Sequence, residues 1–122
     1  MAGLTLQVYV KDSDKAVDFY RRAFDAELIN IHKNDDGTFT HVELVFYGFT
    51  IAVSESWFHD VIKGNTMQFI FEFGKNNESA VRKAYAVLKE EASILHDLGS
   101  IGWSPLAFAV IDKFGVCWCI AV

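Results

Sequence analysis

The sequence predicts an α+β fold built from two similar halves. In each half, a segment of alternating apolar residues is followed by an amphipathic helical stripe and then by a run of short strand-like segments. Period-two alternation is typical of a strand with one buried face, and a stripe at the helical period indicates a helix lying on a core. This repeated order predicts the architecture, although it does not predict the ligand.

The first half begins with a predicted strand over residues 4–10. Its buried face is the aliphatic one, formed by Leu4, Leu6, Val8 and Val10. Asp12 or Ser13 is the expected helix cap, since a short side-chain oxygen accepts a hydrogen bond from a first-turn amide. The predicted helical stripe is Ala16, Phe19, Tyr20, Ala23 and Phe24.

The second half repeats this order from residue 67 onwards. Its first strand spans residues 67–73, with the apolar face Met67, Phe69, Phe71 and Phe73. Asn76 or Asn77 is the expected cap of the second helix. The buried stripe of that helix is predicted to be Ala80, Ala84, Val87 and Leu88.

Hairpins complete both halves. Residues 28–33 and 38–46 are predicted strands joined at 34–37, where Asp36-Gly37 supplies the positive φ of a tight turn. Tyr47-Gly48 then turns the chain into a strand over 49–54, and segments 106–111 and 116–122, joined at 112–115, repeat this ending. We therefore predict a single domain over 1–122, with module one at about 4–54 and module two at about 66–122. The linker, about 55–65, is predicted to contain a short helical turn near 57–62.

Composition bounds the function classes. A hydrophobic content of 52% with 15% aromatics can fill the core of one domain. The formal charge of −5 disfavours nonspecific nucleic-acid binding, which depends on cationic side chains. The chain contains neither an apolar run long enough to span a membrane nor a cationic and apolar leader, so a cytoplasmic protein without a membrane partner is expected.

Three motifs carry a resemblance to a known superfamily. They are Val10-x-Asp12-x-x-x-Ala16-x-x-Phe19-Tyr20-x-x-x-Phe24, His41-Val42-Glu43-Leu44 and Asp112-x-Phe114-Gly115-x-x-Trp118. Together they resemble the glyoxalase, bleomycin-resistance and extradiol-dioxygenase superfamily, also called vicinal oxygen chelate proteins, and within it the PhnB-like branch. The resemblance covers essentially the whole chain. It implies two β-α-β-β-β modules whose curved mixed sheets surround a concave cavity, with the helices on the convex side.

Strand alternation then predicts which side chains face the cavity. From the first strand of each module these are Thr5, Gln7, Tyr9, Gln68, Ile70 and Glu72, and from the last strands they are Thr50, Ala52, Ser54, Cys117, Cys119 and Ala121. The resemblance also implies that metal-dependent members place His, Gln or Glu on each first strand and usually Glu on each last strand. The aligned positions in this chain are Thr5, Ala52, Gln68 and Cys119.

Only Gln68 among these positions matches a usual ligand type. A divalent ion needs several converging oxygen or nitrogen donors, and a catalytic ion also needs an open coordination position. We therefore expect no metal ion and no other cofactor. Gln68 is instead predicted to form hydrogen bonds with a ligand.

Two further groups are candidates for chemistry. Cys117 and Cys119 lie on one face of the last strand and would supply a reactive thiol or soft ligands, but a free cysteine more often behaves as a small buried hydrophobe. His41 and Glu43 lie two residues apart on one strand face, where they would line the cavity or perform acid–base chemistry. The same pattern is also typical of the wet face of an antiparallel strand. The other histidines, His32, His59 and His96, are expected to be exposed to solvent.

Aromatic side chains would wall a site for a planar compound, because flat rings bind by stacking and desolvation. The candidates are Trp57, Trp103, Phe46, Phe58 and Phe108, although large aromatics are usually part of a core or a dimer interface. Trp103, beside Gly102 in a predicted loop, is the best pocket candidate. Trp118 is expected to pack beneath a helix.

The sequence therefore predicts a metal-independent small-molecule binding protein whose ligand is apolar or aromatic. The predicted ligand-binding residues are Gln7, Tyr9, His41, Glu43, Gln68, Glu72, Trp103 and Cys119. Sequestration of a toxic compound is one form of such binding, and open sheet edges predict a homodimer. Two alternatives remain: an enzyme of the same superfamily (a lyase, isomerase or dioxygenase), which uses a metal ion or His41 and Glu43, and an accessory module that pairs with another protein.

Overall fold

The computed structural model describes residues 3–57, 61–64 and 66–122, and these residues form two helices and eight strands. The chain divides into two compact units, Met1–Val61 and Ile62–Val122. Each unit contains one helix and one mixed four-stranded sheet. The predicted α+β class is confirmed. Within the described residues, no helix is long and apolar enough to cross a membrane.

The first unit follows the order β-α-β-β-β. Its elements are β1 (Gln7–Val10), α1 (Ser13–Phe24), β2 (Glu27–Lys33), β3 (Phe39–Phe46) and β4 (Phe49–Glu55). The sheet has the strand order β1-β4-β3-β2. Strand β1 pairs with β4 in parallel, whereas β3 pairs in antiparallel fashion with both β2 and β4.

The second unit repeats the same topology. Its elements are β5 (Phe69–Glu72), α2 (Glu78–Leu88), β6 (Ser93–Ile101), β7 (Ser104–Ile111) and β8 (Cys117–Ala121), in the sheet order β5-β8-β7-β6. Strand β6 has no segment of its own in the sequence prediction. The reason is that this edge strand buries none of its residues fully and changes register against β7 three times, so its apolar pattern is weak.

Each helix packs on one face of its own sheet. The predicted stripe of α1 is confirmed, since all five of its residues are buried, and the Phe24 ring stacks on Phe46 of β3 at 4.4 Å. In α2 the prediction is partly wrong. Val81 is buried with Ala84 and Leu88, whereas Ala80 and Val87 are only half-buried, so the buried stripe is rotated toward Val81.

The first strand of each unit is shorter than predicted. Strand β1 begins at Gln7 and β5 at Phe69, and the two apolar residues expected to open these strands, Leu4 and Met67, are 87% and 76% exposed. Alternation holds where the strands pair, because Val8 and Val10 are buried while Gln7 and Tyr9 are exposed. Leu4 and Met67 lie before the first residues of β1 and β5, so the alternation of the paired strands does not extend to them.

Glycines with positive φ close the hairpins as the sequence predicts. Gly37 ends the turn between β2 and β3, and Tyr47-Gly48, both with positive φ, joins β3 to β4. Between β7 and β8, the buried Asp112 carboxylate accepts hydrogen bonds from the Phe114 and Val116 amides and from Trp118 Nε1. One carboxylate therefore holds both the turn and the indole of Trp118, which is fully buried against the Phe69 and Phe71 rings.

The predicted cap positions are confirmed, but the predicted side-chain cap hydrogen bonds are wrong. Asp12 and Asn77 occupy the N-cap positions, but neither side chain caps its helix. Instead, the Glu55 carboxylate at the end of β4 accepts hydrogen bonds from the Ser13 amide at 2.8 Å and the Asp12 amide at 3.2 Å. Ser13 Oγ turns inward and accepts a bond from the Phe39 amide at 2.8 Å. Asn77 Nδ2 donates to the Phe73 carbonyl.

The predicted helical turn near residues 57–62 falls partly on Phe58, His59 and Asp60, which lie outside the described residues. Residues 61–64 form no helical turn. The expectations for Phe58 and His59 fall outside the described part of the chain.

The substitution Glu55→Ala should lower the free energy of unfolding by about 1 kcal/mol, because it removes an anionic cap from the positive end of α1. Chemical denaturation monitored by far-UV circular dichroism measures this loss. Asp14→Ala, in the first turn of the same helix, is the control and should cost less. Equal losses in the two variants would show that the Glu55 hydrogen bonds contribute nothing beyond their charge.

Candidate functional site

The face of the first sheet turned away from α1 carries the polar residues of the candidate site. Pairing aligns Gln7, Ala52, Glu43 and Ile29 in one row across all four strands, and it sets Tyr9 beside Ser54. A cleft of about 360 Å³ opens here. It is lined by Gln7, Tyr9, Asn34, Thr40, His41, Ser54, Glu55, Ser56 and Trp57. Its volume falls within the range of small-molecule sites.

Glu43 joins two neighbours on this face. His41 Nε2 lies 2.9 Å from Glu43 Oε2, and Asn30 Nδ2 donates to Glu43 Oε1 at 3.1 Å. The hydrogen bond from His41, joined by that from Asn30, holds the pKa of the Glu43 carboxyl below its usual value. Glu43 is therefore ionised at neutral pH. The His41 and Glu43 side chains are 30% and 23% exposed, so both remain partly accessible to solvent.

A bulge in β2 brings Asn30 to this position. The register between β2 and β3 shifts between Ile29 and His32, and Asn30 adopts a left-handed φ of 50°. Asparagine tolerates this conformation better than most residues. The bulge directs the Asn30 amide toward Glu43. The sequence analysis missed Asn30 because a bulge leaves no signal in hydrophobic periodicity.

Aromatic residues stand at the rim of the cleft. Tyr9 on β1 is 45% exposed and Trp57, just after β4, is 78% exposed. The backbone next to Trp57 is held in place by Lys11, whose Nζ donates to the Ser56 carbonyl at 3.0 Å, and by the Glu55 bonds to α1. The lining of the cleft therefore combines exposed aromatic rings with polar groups.

The remaining predicted site residues lie in the second unit. Gln68 and Glu72 are exposed, Cys119 is buried beside Ile70 on β5, and Trp103 is half-exposed in the turn between β6 and β7. Thus Gln7, Tyr9, His41 and Glu43 share one unit. Gln68, Glu72, Trp103 and Cys119 share the other.

Two of the other histidines can be placed. His32 is exposed as predicted, and its ring centroid lies 6.4 Å from that of His41. The prediction for His96 is wrong, because the side chain is half-buried on β6. Its Nδ1 atom is covered and has no hydrogen-bond partner among the described residues.

A second cleft, of about 370 Å³, lies in the second unit. Two lysines at its wall are already engaged. Lys63 Nζ donates to the Lys113 carbonyl at 3.3 Å, and Lys113 Nζ lies 3.7 Å and 3.9 Å from the carboxylates of Glu90 and Glu91. Because both ammonium groups already have partners within the unit, they are less available to bind a ligand in this second cleft.

Comparison with known proteins assigns the family. The family model of the Glyoxalase/Bleomycin resistance protein/Dioxygenase superfamily matches residues 4–120. The chain belongs to this superfamily. The resemblance found in the sequence motifs is thereby confirmed. No curated protein sequence matches the chain.

Several solved structures have the same fold as this chain. The PhnB protein of Bacillus cereus is 22% identical with a TM-score of 0.81, and the alignment covers 98% of both chains. TioX from Micromonospora sp. ML1 is 20% identical with a TM-score of 0.68, covering 98% of this chain and 94% of that one. The fosfomycin resistance protein FosX from Listeria monocytogenes is 14% identical with a TM-score of 0.70, covering 100% and 91%. At these identities the likeness concerns the fold alone.

The metal positions expected for this superfamily do not fit a metal ion in this chain. Ala52 is fully buried and has no donor atom, and Cys119 is a buried thiol. Gln7, rather than Thr5, lies opposite Ala52. Across the described ranges, no group of three His, Cys, Asp or Glu side chains is arranged to hold a metal.

Burial makes both cysteine thiols poor nucleophiles. Desolvation raises the pKa of Cys117, although a hydrogen bond with Gln68 opposes it. Desolvation also raises the pKa of Cys119, and the nearby Cys117 and Glu72 add to the effect. Since the thiolate is the reactive form, both groups stay protonated and unreactive at neutral pH.

Iodoacetamide at pH 7.5 should alkylate neither Cys117 nor Cys119 in the native protein on a timescale on which a small-molecule thiol reacts completely. Mass spectrometry of the intact protein measures the modification. The same reagent in denaturant should modify both thiols and serves as the control. Rapid modification of the folded protein would show that a reactive thiolate is present after all.

Proposed function

We propose that this superfamily member binds a small planar molecule, apolar or aromatic in its main part, in the cleft of the first unit and without a resident metal ion. The observation that carries the proposal is one cleft of about 360 Å³ that combines the exposed rings of Tyr9 and Trp57 with the polar groups of Gln7, His41 and Ser54. Such a site desolvates a flat ligand and fixes its orientation by a few hydrogen bonds.

Metal independence is supported by the donor chemistry. Even with Gln7, which lies opposite Ala52, in place of Thr5, the expected metal positions offer only the amides of Gln7 and Gln68, because Ala52 has no donor atom and Cys119 is a buried thiol. A stable site for a divalent ion needs more donors than this. Gln68, Glu72, Trp103 and Cys119 stay predictions as ligand contacts. The name of FosX associates a protein of this fold with drug resistance, and sequestration of a toxic compound is one role that such binding would serve in this chain.

An enzymatic role is the second candidate, and one observation favours it. The 2.9 Å contact between His41 and Glu43 is the arrangement of an imidazole oriented by a carboxylate, which suits proton transfer. A catalyst of this kind would turn over a bound compound, whereas a binding protein returns it unchanged. A purely accessory module would bind neither substrate nor ligand in the cleft.

A thermal-shift screen with planar hydrophobic compounds should identify ligands that raise Tm by several degrees, since binding to the native state stabilises it by mass action. The substitution Trp57→Ala should reduce the shift. Ile62→Ala, at an exposed apolar residue outside the cleft, is the control and should leave the shift unchanged. Elemental analysis of protein purified without chelator should find far less than one divalent metal ion per chain.

Two results would contradict the proposal. Stoichiometric metal that disappears together with ligand binding would favour a metal enzyme. A complete absence of ligands in the screen would favour the accessory module.

We also propose a homodimer. Strands β2 and β6 are sheet edges with exposed apolar residues, namely Ile29 and Ile31 on β2 and Ile94 and Leu95 on β6. Edges of this kind favour pairing with a second chain. The expected cytoplasmic location stays a prediction from the sequence.

Sedimentation velocity at micromolar concentration should show a dimer, and Ile31→Lys should weaken it because a charge on an apolar edge opposes pairing. Lys33→Arg, on the same strand, is the control that preserves charge and should leave the dimer intact. Sedimentation as a monomer across the micromolar range would contradict this proposal.

A further inference from the structure

The contact between His41 and Glu43 determines which imidazole nitrogen is available to a ligand. Nε2 lies 2.9 Å from an ionised carboxylate oxygen, and a carboxylate can only accept hydrogen bonds. A neutral imidazole must therefore carry its proton on Nε2, where it donates to Glu43. Nδ1 is left with its lone pair and acts as a hydrogen-bond acceptor.

Glu43 is itself held in position. Its second oxygen, Oε1, accepts the Asn30 amide at 3.1 Å, so the two carboxylate oxygens have different protein donors. The bulge at Asn30 fixes that donor on the same face of the sheet. This arrangement restricts rotation of the carboxylate, and through it the plane of the His41 ring.

The charges around the cleft disfavour an anionic ligand, and the acceptor at His41 Nδ1 favours a ligand that donates hydrogen bonds. Glu55 lines the cleft and Glu43 is bonded to a cleft residue, so the carboxylates disfavour an anionic ligand. The nearby ammonium group of Lys11 is bonded to the Ser56 carbonyl. Both oxygens of Glu43 already accept a bond from the protein, from Asn30 and from His41, and Glu43 is not itself a lining residue of the cleft.

We propose that His41 Nδ1 accepts a hydrogen bond from an O–H or N–H group of the bound planar molecule, with Glu43 as the positioning residue. This inference rests on the proposed ligand site in the first unit and adds the chemical class of its ligand: a planar compound with a neutral hydroxyl or N–H donor on its edge. Tyr9 and Trp57 contact the flat body of the compound, and His41 distinguishes the donor from its alkylated analogue.

The test compares two probes that differ in one hydrogen-bond donor: 2-naphthol and 2-methoxynaphthalene. Calorimetry or fluorescence titration at pH 8 should show 2-naphthol binding about 10-fold more tightly, because the ether leaves Nδ1 without a donor. The substitution His41→Gln keeps an amide donor toward Glu43 but has no acceptor at the position of Nδ1. It should reduce the preference to about 1- to 2-fold, mainly by weakening the binding of 2-naphthol.

Two further variants separate positioning from general damage to the fold. Glu43→Gln removes the negative charge that keeps the proton on Nε2, so it should lower the naphthol preference by about 3-fold. His32 on β2 is the exposed strand partner of His41. The substitution His32→Gln is therefore the control, and it should leave the preference for 2-naphthol unchanged. The preference is a ratio of two affinities in one protein, so a loss of folded protein does not alter it.

The outcomes distinguish this inference from the proposed function. If both probes bind equally in the wild-type protein, or if His41→Gln keeps the full preference, His41 is not the acceptor and the inference is wrong while the cleft remains a ligand site. If neither probe binds and the wider screen also finds no ligand, both the inference and the proposed function are wrong. Tighter binding of the ether would likewise overturn the inference.

Discussion

Strand alternation in β3 is the constraint on which both the fold and the candidate site depend. Val42, Leu44 and Phe46 point toward α1 and are buried, which places His41 and Glu43 on the opposite face. A shift of one residue would exchange these two sets, burying an ionised carboxylate beneath the helix at a large desolvation cost. The packing of α1 therefore determines where the polar pair lies.

The second constraint is a long-range hydrogen bond. Glu55 ends β4 and caps α1, so the strand that forms the middle of the cleft is tied to the start of the helix on the other face. Ser13 adds a further link by accepting the Phe39 amide at the start of β3. These bonds hold the ends of two strands to one helix terminus. The cleft wall at Ser54–Trp57 is consequently tied by hydrogen bonds to the start of α1.

Sequence patterns predicted the features that depend only on neighbouring residues. The alternation of β1, the stripe of α1 and the glycine turns follow from strand and helix periods and from backbone sterics, and the structure has them. The prediction of the cap hydrogen bond on α1 failed because the Ser13 amide donates to the carboxylate of Glu55, which is 42 residues away in sequence. The prediction that Leu4 is buried failed because β1 begins only at Gln7, so Leu4 lies outside the paired strand. No alternation rule contains that information.

The candidate site shows the same division. Strand parity placed Gln7 and Tyr9 on one face of β1, and His41 and Glu43 on one face of β3, from sequence alone. The donor that completes the site, Asn30, depends on a left-handed residue within a bulge, and the short apolar alternation of β2 gives no sign of it.

The two carboxylates near the cleft have different consequences for recognition. Glu55 lines the cleft and is bonded to backbone amides at the positive end of α1, so part of its negative charge is offset by the helix. Glu43 is bonded to an imidazole, so its effect reaches the cleft as a choice of tautomer rather than as a bare charge. In the proposed site, recognition therefore depends on where one proton lies on His41, and Glu43, which does not line the cleft itself, determines that position.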